Sequence, residues 1–102
     1  MITVNNMYPK KPGGRFDMEY YLSAHIPMAK KLMGNALKSV TVERGVNGGP
    51  PDTKPTYLVT ARMEFESVDA FYKAFVPHMN TLRSDIPKYT DIEPVIQISE
   101  IV

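Results

Sequence analysis

The chain contains no cysteine. Disulfides, thiol nucleophiles and zinc–thiolate sites are excluded at once, and the composition suits a reducing compartment. Neither charge sign dominates: twelve Lys and Arg against eleven Asp and Glu leave a net charge of +1. Such a balance gives no electrostatic footprint for nucleic acid or an acidic partner, so no nucleic-acid partner is expected. No run approaches the roughly 18 apolar residues of a membrane span. The opening Met1-Ile2-Thr3-Val4-Asn5-Asn6 lacks the basic and apolar regions of a secretion signal. A cytoplasmic address without membrane contact is the expectation. Histidine is also scarce. His25 and His78 have no HxxxH spacing and no carboxylate placed by sequence to complete a ligand set, so no metal site is expected. No Ser-His-Asp order can be built on two isolated histidines.

What is present fits one domain over residues 1–102. A domain of this size buries only roughly 65% of its unfolded surface, so pairing with a second copy would help it. Residues Ile2 to Tyr8 alternate, with Ile2, Val4 and Tyr8 on one parity, and predict a strand. Pro9, Pro12, Gly13 and Gly14 then form a loop. Asp17 has the chemistry of an N-cap, with Phe16 before it as a staple residue. A helix is predicted from Met18 to about Met33, ended by Gly34-Asn35. Its apolar stripe reads Tyr21, His25, Met28, Leu32, flanked by Leu22, Ile26, Ala29 and Met33. Pro27 interrupts it and predicts a kink just after His25.

Alternation returns from Leu37 to Val46 and from Tyr57 to Phe65. The Pro- and Gly-rich loop between them is too long for a tight hairpin. Ser67 caps a second helix with apolar positions Val68, Phe71, Phe75, Met79 and Leu82, ending near Ser84. Val95 to Val102 gives the last strand. The order βαββαβ predicts an α+β, ferredoxin-like sandwich: a four-stranded antiparallel sheet with both helices on one face. Both strand parities carry apolar residues: Leu58 opposes Val59, and Val95 and Ile101 oppose Ile96 and Ile98. A sheet apolar on both faces must be covered twice, which predicts a homodimer packed face to face.

His25 is the leading candidate for chemistry. It lies on the apolar stripe beside a predicted kink, where a histidine can act as general acid or base, or simply be a satisfied core imidazole. Tyr21 shares its face and Tyr8 ends the first strand; both suit an aromatic or oxygenated ligand. Tyr20 points about a quarter turn away and reads as bland. His78 reads as exposed. Arg44 and Arg62 read as cross-strand partners of Glu43 or Glu64, and Asp85, Asp91 and Glu93 as turn or cap residues. The loop Asn47-Gly48-Gly49-Pro50 precedes a strand, not a helix N-terminus, so it is no phosphate cradle and no cofactor is expected.

Two stretches resemble the EthD family, small proteins named from ethyl tert-butyl ether degradation. The first runs from Met7-Tyr8-Pro9 through Phe16-Asp17-Met18-Glu19-Tyr20-Tyr21 to His25-Ile26-Pro27-Met28-Ala29. The second is Asp85-Ile86-Pro87-Lys88-Tyr89-Thr90-Asp91-Ile92-Glu93-Pro94, continuing to Glu100. Phe65 to Phe71 is similar to the family's strand-to-helix joint. Met28 replaces a usual leucine and Lys88 an expected asparagine. The resemblance implies a dimeric α/β barrel and a setting in oxidative catabolism or polyketide-like tailoring. Similar barrels include cofactor-free monooxygenases, dehydratases and decarboxylases. Asp17, Tyr20, Tyr21, His25 and Pro27 carry over as the family signature, structural or functional.

The expectation is therefore an oxidoreductase-type enzyme or accessory, with His25 as catalytic residue and Tyr8 and Tyr21 holding a small apolar or aromatic oxygenated ligand. The alternatives are a lyase, a non-catalytic dimer that binds a ligand or a partner oxygenase, and a purely structural dimer.

Overall fold

A computed structural model describes all residues, 1–102. Four strands, β1 (Ile2–Pro9), β2 (Ser39–Arg44), β3 (Tyr57–Phe65) and β4 (Val95–Glu100), form one antiparallel sheet in the order β2-β3-β1-β4. Two helical segments cross one face, giving the expected ferredoxin-like α+β sandwich. No helix is long and apolar enough to cross a membrane.

The first helical segment starts as its sequence dictates. Asp17 Oδ1 accepts the Tyr20 backbone N–H at 3.0 Å. Phe16, just before the cap, packs edge-on against Tyr21 at 5.0 Å, which is the staple geometry. The predicted kink takes a definite form. Met18–Tyr20 is α-helical, Tyr21–His25 is a π-helical turn, and Ile26–Met33 is α-helical again. The Ile26 N–H reaches back to the Tyr21 carbonyl. Pro27 has no N–H, and its ring would crowd the carbonyl four residues earlier; the wider turn removes both conflicts.

One inserted residue also advances the apolar stripe by one. Tyr21, His25, Ile26, Ala29 and Met33 are buried, whereas Met28 and Leu32 are only half-buried. Gly34, at φ 59° and ψ −143°, closes the helix through a bond from its N–H to the Lys30 carbonyl. That backbone region favours glycine.

The second helical segment is capped by Ser67, whose Oγ accepts from Ala70 N–H at 3.0 Å. Pro77 again breaks the ladder, here as a 3₁₀ turn over Val76–His78 between the α-helices Val68–Phe75 and Met79–Asp85. His78 is half-buried rather than exposed.

Two apolar clusters fill the space between helices and sheet. One joins Ile2, Val4 and Phe65 to Ala29, Met33, Phe71 and Leu82. The other joins Tyr8, Val59 and Ala61 to Tyr21, Ile26, Tyr89 and Ile92.

The register corrects the expectation of a sheet apolar on both faces. Pairing places Thr3, Asn5, Ser39, Thr41, Glu43, Thr60, Arg62, Glu64, Gln97 and Ser99 on the face away from the helices. Met7, Leu58 and Val95 are the apolar residues there, and Ile101 lies beyond β4. Parity alone counted Ile96 and Ile98 against Val95 without knowing that neighbouring strands put polar groups beside Val95. The expected ion pairs of Arg44 and Arg62 do not form: Val59 and Thr41 stand opposite them.

Candidate functional site

The site is assembled by a loop that returns to the start of the first helix. After Asp85 the chain makes a 3₁₀ turn, Ile86–Lys88, and delivers Tyr89 beneath the π-helical turn. The segment is tied down repeatedly. The Asp17 N–H donates to the Tyr89 carbonyl at 2.7 Å, and Thr90 Oγ1 donates to the Arg15 carbonyl at 2.6 Å. The Arg15 N–H donates to Asp91 Oδ1 at 2.8 Å. Asp91 therefore fastens the loop, as a turn residue does, and this bond foremost holds its carboxyl below the ordinary value.

His25 and Asp85 meet at this junction. His25 Nδ1 lies 2.9 Å from Asp85 Oδ2, with both side chains about nine-tenths buried. Tyr20 donates its hydroxyl to the other oxygen, Asp85 Oδ1, at 2.8 Å. Lys88 Nζ stands 3.7 Å from that same oxygen. Burial alone would raise the Asp85 carboxyl; the hydrogen bonds from His25 and Tyr20, with the Lys88 charge nearby, outweigh it and bring it below the ordinary 3.8. An ionised Asp85 fixes the hydrogen of His25 on Nδ1 and leaves Nε2 as the free nitrogen. Nε2 has no hydrogen-bond partner in the protein and is not sealed from solvent.

Around the imidazole the walls are aromatic. Tyr21 stacks on His25 at 5.5 Å, and Tyr89 approaches it at 4.7 Å. The hydroxyls of Tyr8 and Tyr89 are 2.7 Å apart. Burial above all raises the phenols of Tyr8, Tyr21 and Tyr89, so each stays protonated. The hydrogen bond to Asp85 raises Tyr20 as well.

These groups line a cleft of about 940 Å³ between the helices and the β1–β4 half of the sheet. Val4, Met63, Phe71, Leu82, Ile96 and Ile98 give it an apolar interior; Asn6 is the polar group on its floor, and Arg15 and Arg83 are charged members of its lining. It is large enough for a small aromatic or alicyclic compound. No three His, Asp or Glu side chains converge as a metal set would.

Of the residues singled out by sequence, Tyr8, Tyr21 and His25 come together on the cleft. Asp17 and Pro27 act on the backbone, as cap and as cause of the π-helical turn. Tyr20 is not bland: it holds Asp85. Asp85 itself, read as a turn residue, is the partner of His25, and Tyr89 was missed. One signal was available for Asp85. It falls three residues after Leu82, so it continues the apolar stripe of its helix, the same anomaly that marks His25. Tyr89 lies in a loop without periodicity and carries no such signal.

The geometry can be set beside known proteins. The crystal structure of an EthD-like protein from Ralstonia eutropha superposes with a TM-score of 0.93 and 42% identity, over 99% of this chain and 91% of that one. An ethyl tert-butyl ether degradation (EthD) family protein from Bacillus halodurans shares the fold at 17% identity, with a TM-score of 0.69 and coverage of 100% and 99%. A protein from Arabidopsis thaliana shares it at 13% identity, with a TM-score of 0.67 and coverage of 99% and 94%. No functionally curated protein matches the chain. The profile of the EthD domain matches residues 15–93, the stretch that runs from the first helix cap through His25 and Asp85 to the Tyr89 loop. The chain belongs to the EthD family.

Proposed function

We propose that this protein is an acid–base enzyme acting on a small apolar or aromatic oxygenated compound. The observation that carries the reading is the buried pair His25 Nδ1–Asp85 Oδ2 at 2.9 Å, on a histidine that lines an apolar cleft and whose opposite nitrogen has no protein partner. In that arrangement Nε2 takes a proton from the ligand's C–H or O–H bond. The electron pair stays on the ligand as an oxyanion or carbanion, and the imidazolium is stabilised by Asp85. Tyr8 and Tyr21 position the ligand. The apolar surroundings strengthen the interaction of His25 with the charge that develops.

Two outcomes share this step. A carbanion that meets dioxygen gives an oxidoreductase-type reaction, the form suited to a role in ether or aromatic catabolism. A carbanion that expels a leaving group gives a lyase. The His25 step is tested by deuterium exchange into acetophenone in D₂O, followed by NMR. The wild type accelerates exchange, and His25→Gln, which keeps a hydrogen-bonding group but no base, does not. Equal rates in folded wild-type and variant protein would remove His25 as the base.

Homodimerisation belongs to the same proposal, though its support lies in the edge strand rather than in an apolar outer face. Val95 and Ile96 at the start of the edge strand β4 are each about half exposed, and Ile101 just past its end equally so. An apolar edge strand left open is a template for pairing. A dimer by analytical ultracentrifugation at micromolar concentration is expected, and a monomer would refute it.

A further inference from the structure

The hydroxyl pair Tyr8–Tyr89 has a direction that its distance alone does not give. Each phenol carries one hydrogen and can both donate and accept. Tyr89 is completely buried, and the Tyr8 hydroxyl, at 2.7 Å, is its one hydrogen-bond partner. If Tyr8 donated in this pair, the Tyr89 hydrogen would be buried without an acceptor, which costs roughly 1–3 kcal/mol. Tyr89 is therefore the donor and Tyr8 the acceptor. The hydrogen of Tyr8 is then free of Tyr89. Tyr8 lines the cleft, where a ligand oxygen can take that hydrogen. A hydroxyl that already accepts a hydrogen bond is polarised and donates more strongly.

The placement of these groups relative to the base follows from the rings. Tyr89 is 4.7 Å from His25 and 6.1 Å from Tyr8 by centroid, so the base and the phenol donor flank the same side chain. A proton leaves the ligand at His25, and negative charge settles on an oxygen reached by Tyr8. An enolisable carbonyl compound answers to this division of labour, because its acidic C–H and the oxygen that takes the charge are different atoms, two bonds apart.

We propose that Tyr8 donates the hydrogen bond to a developing oxyanion and that Tyr89, acting through its hydrogen bond to Tyr8, is the positioning residue that orients and polarises Tyr8. The substrate class is then an enolisable carbonyl compound. This rests on the acid–base reading of His25, and it assigns a role to a residue on the loop that follows the second helix.

The test uses 4-nitrophenol, whose phenolate mimics the oxyanion and reports its own ionisation by absorbance. The wild type is expected to bind the phenolate in preference to the phenol, so that the apparent pKa of the bound probe falls. Tyr89→Phe removes one oxygen and keeps the ring. It is expected to weaken phenolate binding roughly 3- to 10-fold, as loss of one hydrogen bond does, while thermal melting and binding of the neutral phenol change little. Tyr8→Phe loses at least as much, and Tyr57→Phe, away from the cleft, loses nothing. Absence of phenolate preference in the wild type, or a folded Tyr89→Phe protein with wild-type preference, overturns the proposal. His25→Gln separates the two levels. If that variant keeps both exchange activity and phenolate preference, the base reading fails and the donor proposal survives. If it loses exchange while Tyr89→Phe changes nothing, the base reading survives alone.

Discussion

His25 Nδ1 lies 2.9 Å from Asp85 Oδ2, although sixty positions separate the two residues in the chain. The pair forms because the π-helical turn of the first helix ends at His25 and the second helix ends at Asp85, and the two ends meet. From this contact follow the consequences that are simplest to measure.

Asp85→Asn preserves the shape of the side chain and removes its charge. The amide can donate to Nδ1 and hold the imidazole in the wrong tautomer. Activity is expected to fall roughly 100- to 10,000-fold while the circular dichroism spectrum is retained. Steady-state kinetics measures the loss, and the nitrogen shifts of the His25 ring in NMR report the tautomer.

Stability will depend on pH in the acid range, with a definite sign. The Asp85 carboxyl is depressed below 3.8 in the folded protein and returns to about that value on unfolding. The stabilisation is therefore complete above the unfolded value and is lost as pH falls through the folded one. Asp91, held low mainly by the Arg15 backbone N–H, acts in the same direction. Urea midpoints measured from neutral pH downward are expected to fall below pH 4, and Asp85→Asn is expected to flatten part of that slope.

Tyr20→Phe removes the hydroxyl that donates to Asp85 Oδ1 at 2.8 Å. The ring and its stack on Tyr89 remain. A small fall in the urea midpoint is expected, in keeping with loss of one hydrogen bond. The Asp85 carboxyl loses one group that lowers it, so its titration, followed by carbon NMR, moves up.

Gly34→Ala tests the end of the first helix. A Cβ at Gly34 meets no atom within 4 Å, so crowding is not the issue. The backbone at φ 59° and ψ −143° is the obstacle. The substitution is expected to destabilise by about 1–3 kcal/mol, read from thermal melting, without changing ligand affinity.

The sequence expectation failed in instructive places. A π-helical turn cannot be read from periodicity, because the inserted residue looks like a small drift of the stripe; its centre moves from Met28 and Leu32, which pack at the core's margin, to the flanking Ala29 and Met33. Asp85 was legible only to a reader who carried the Leu82 stripe one turn further. The polar outer face was hidden because parity describes one strand at a time, and a face is made by four.

Local chemistry settled much from the sequence alone. Asp17 and Ser67 cap their helices, Gly34 ends one, Pro27 and Pro77 interrupt both, and alternation marks four strands. Each depends on groups within a few residues of one another. The resemblance to the EthD family was carried by these same segments. Tertiary structure alone decided which groups met. Tyr20, His25 and Lys88 converge on Asp85, and Tyr89 reaches Tyr8, through packing of elements far apart in the chain. The physical reason is that hydrogen bonds and burial act through space, and no local pattern encodes which buried carboxylate a buried histidine will find.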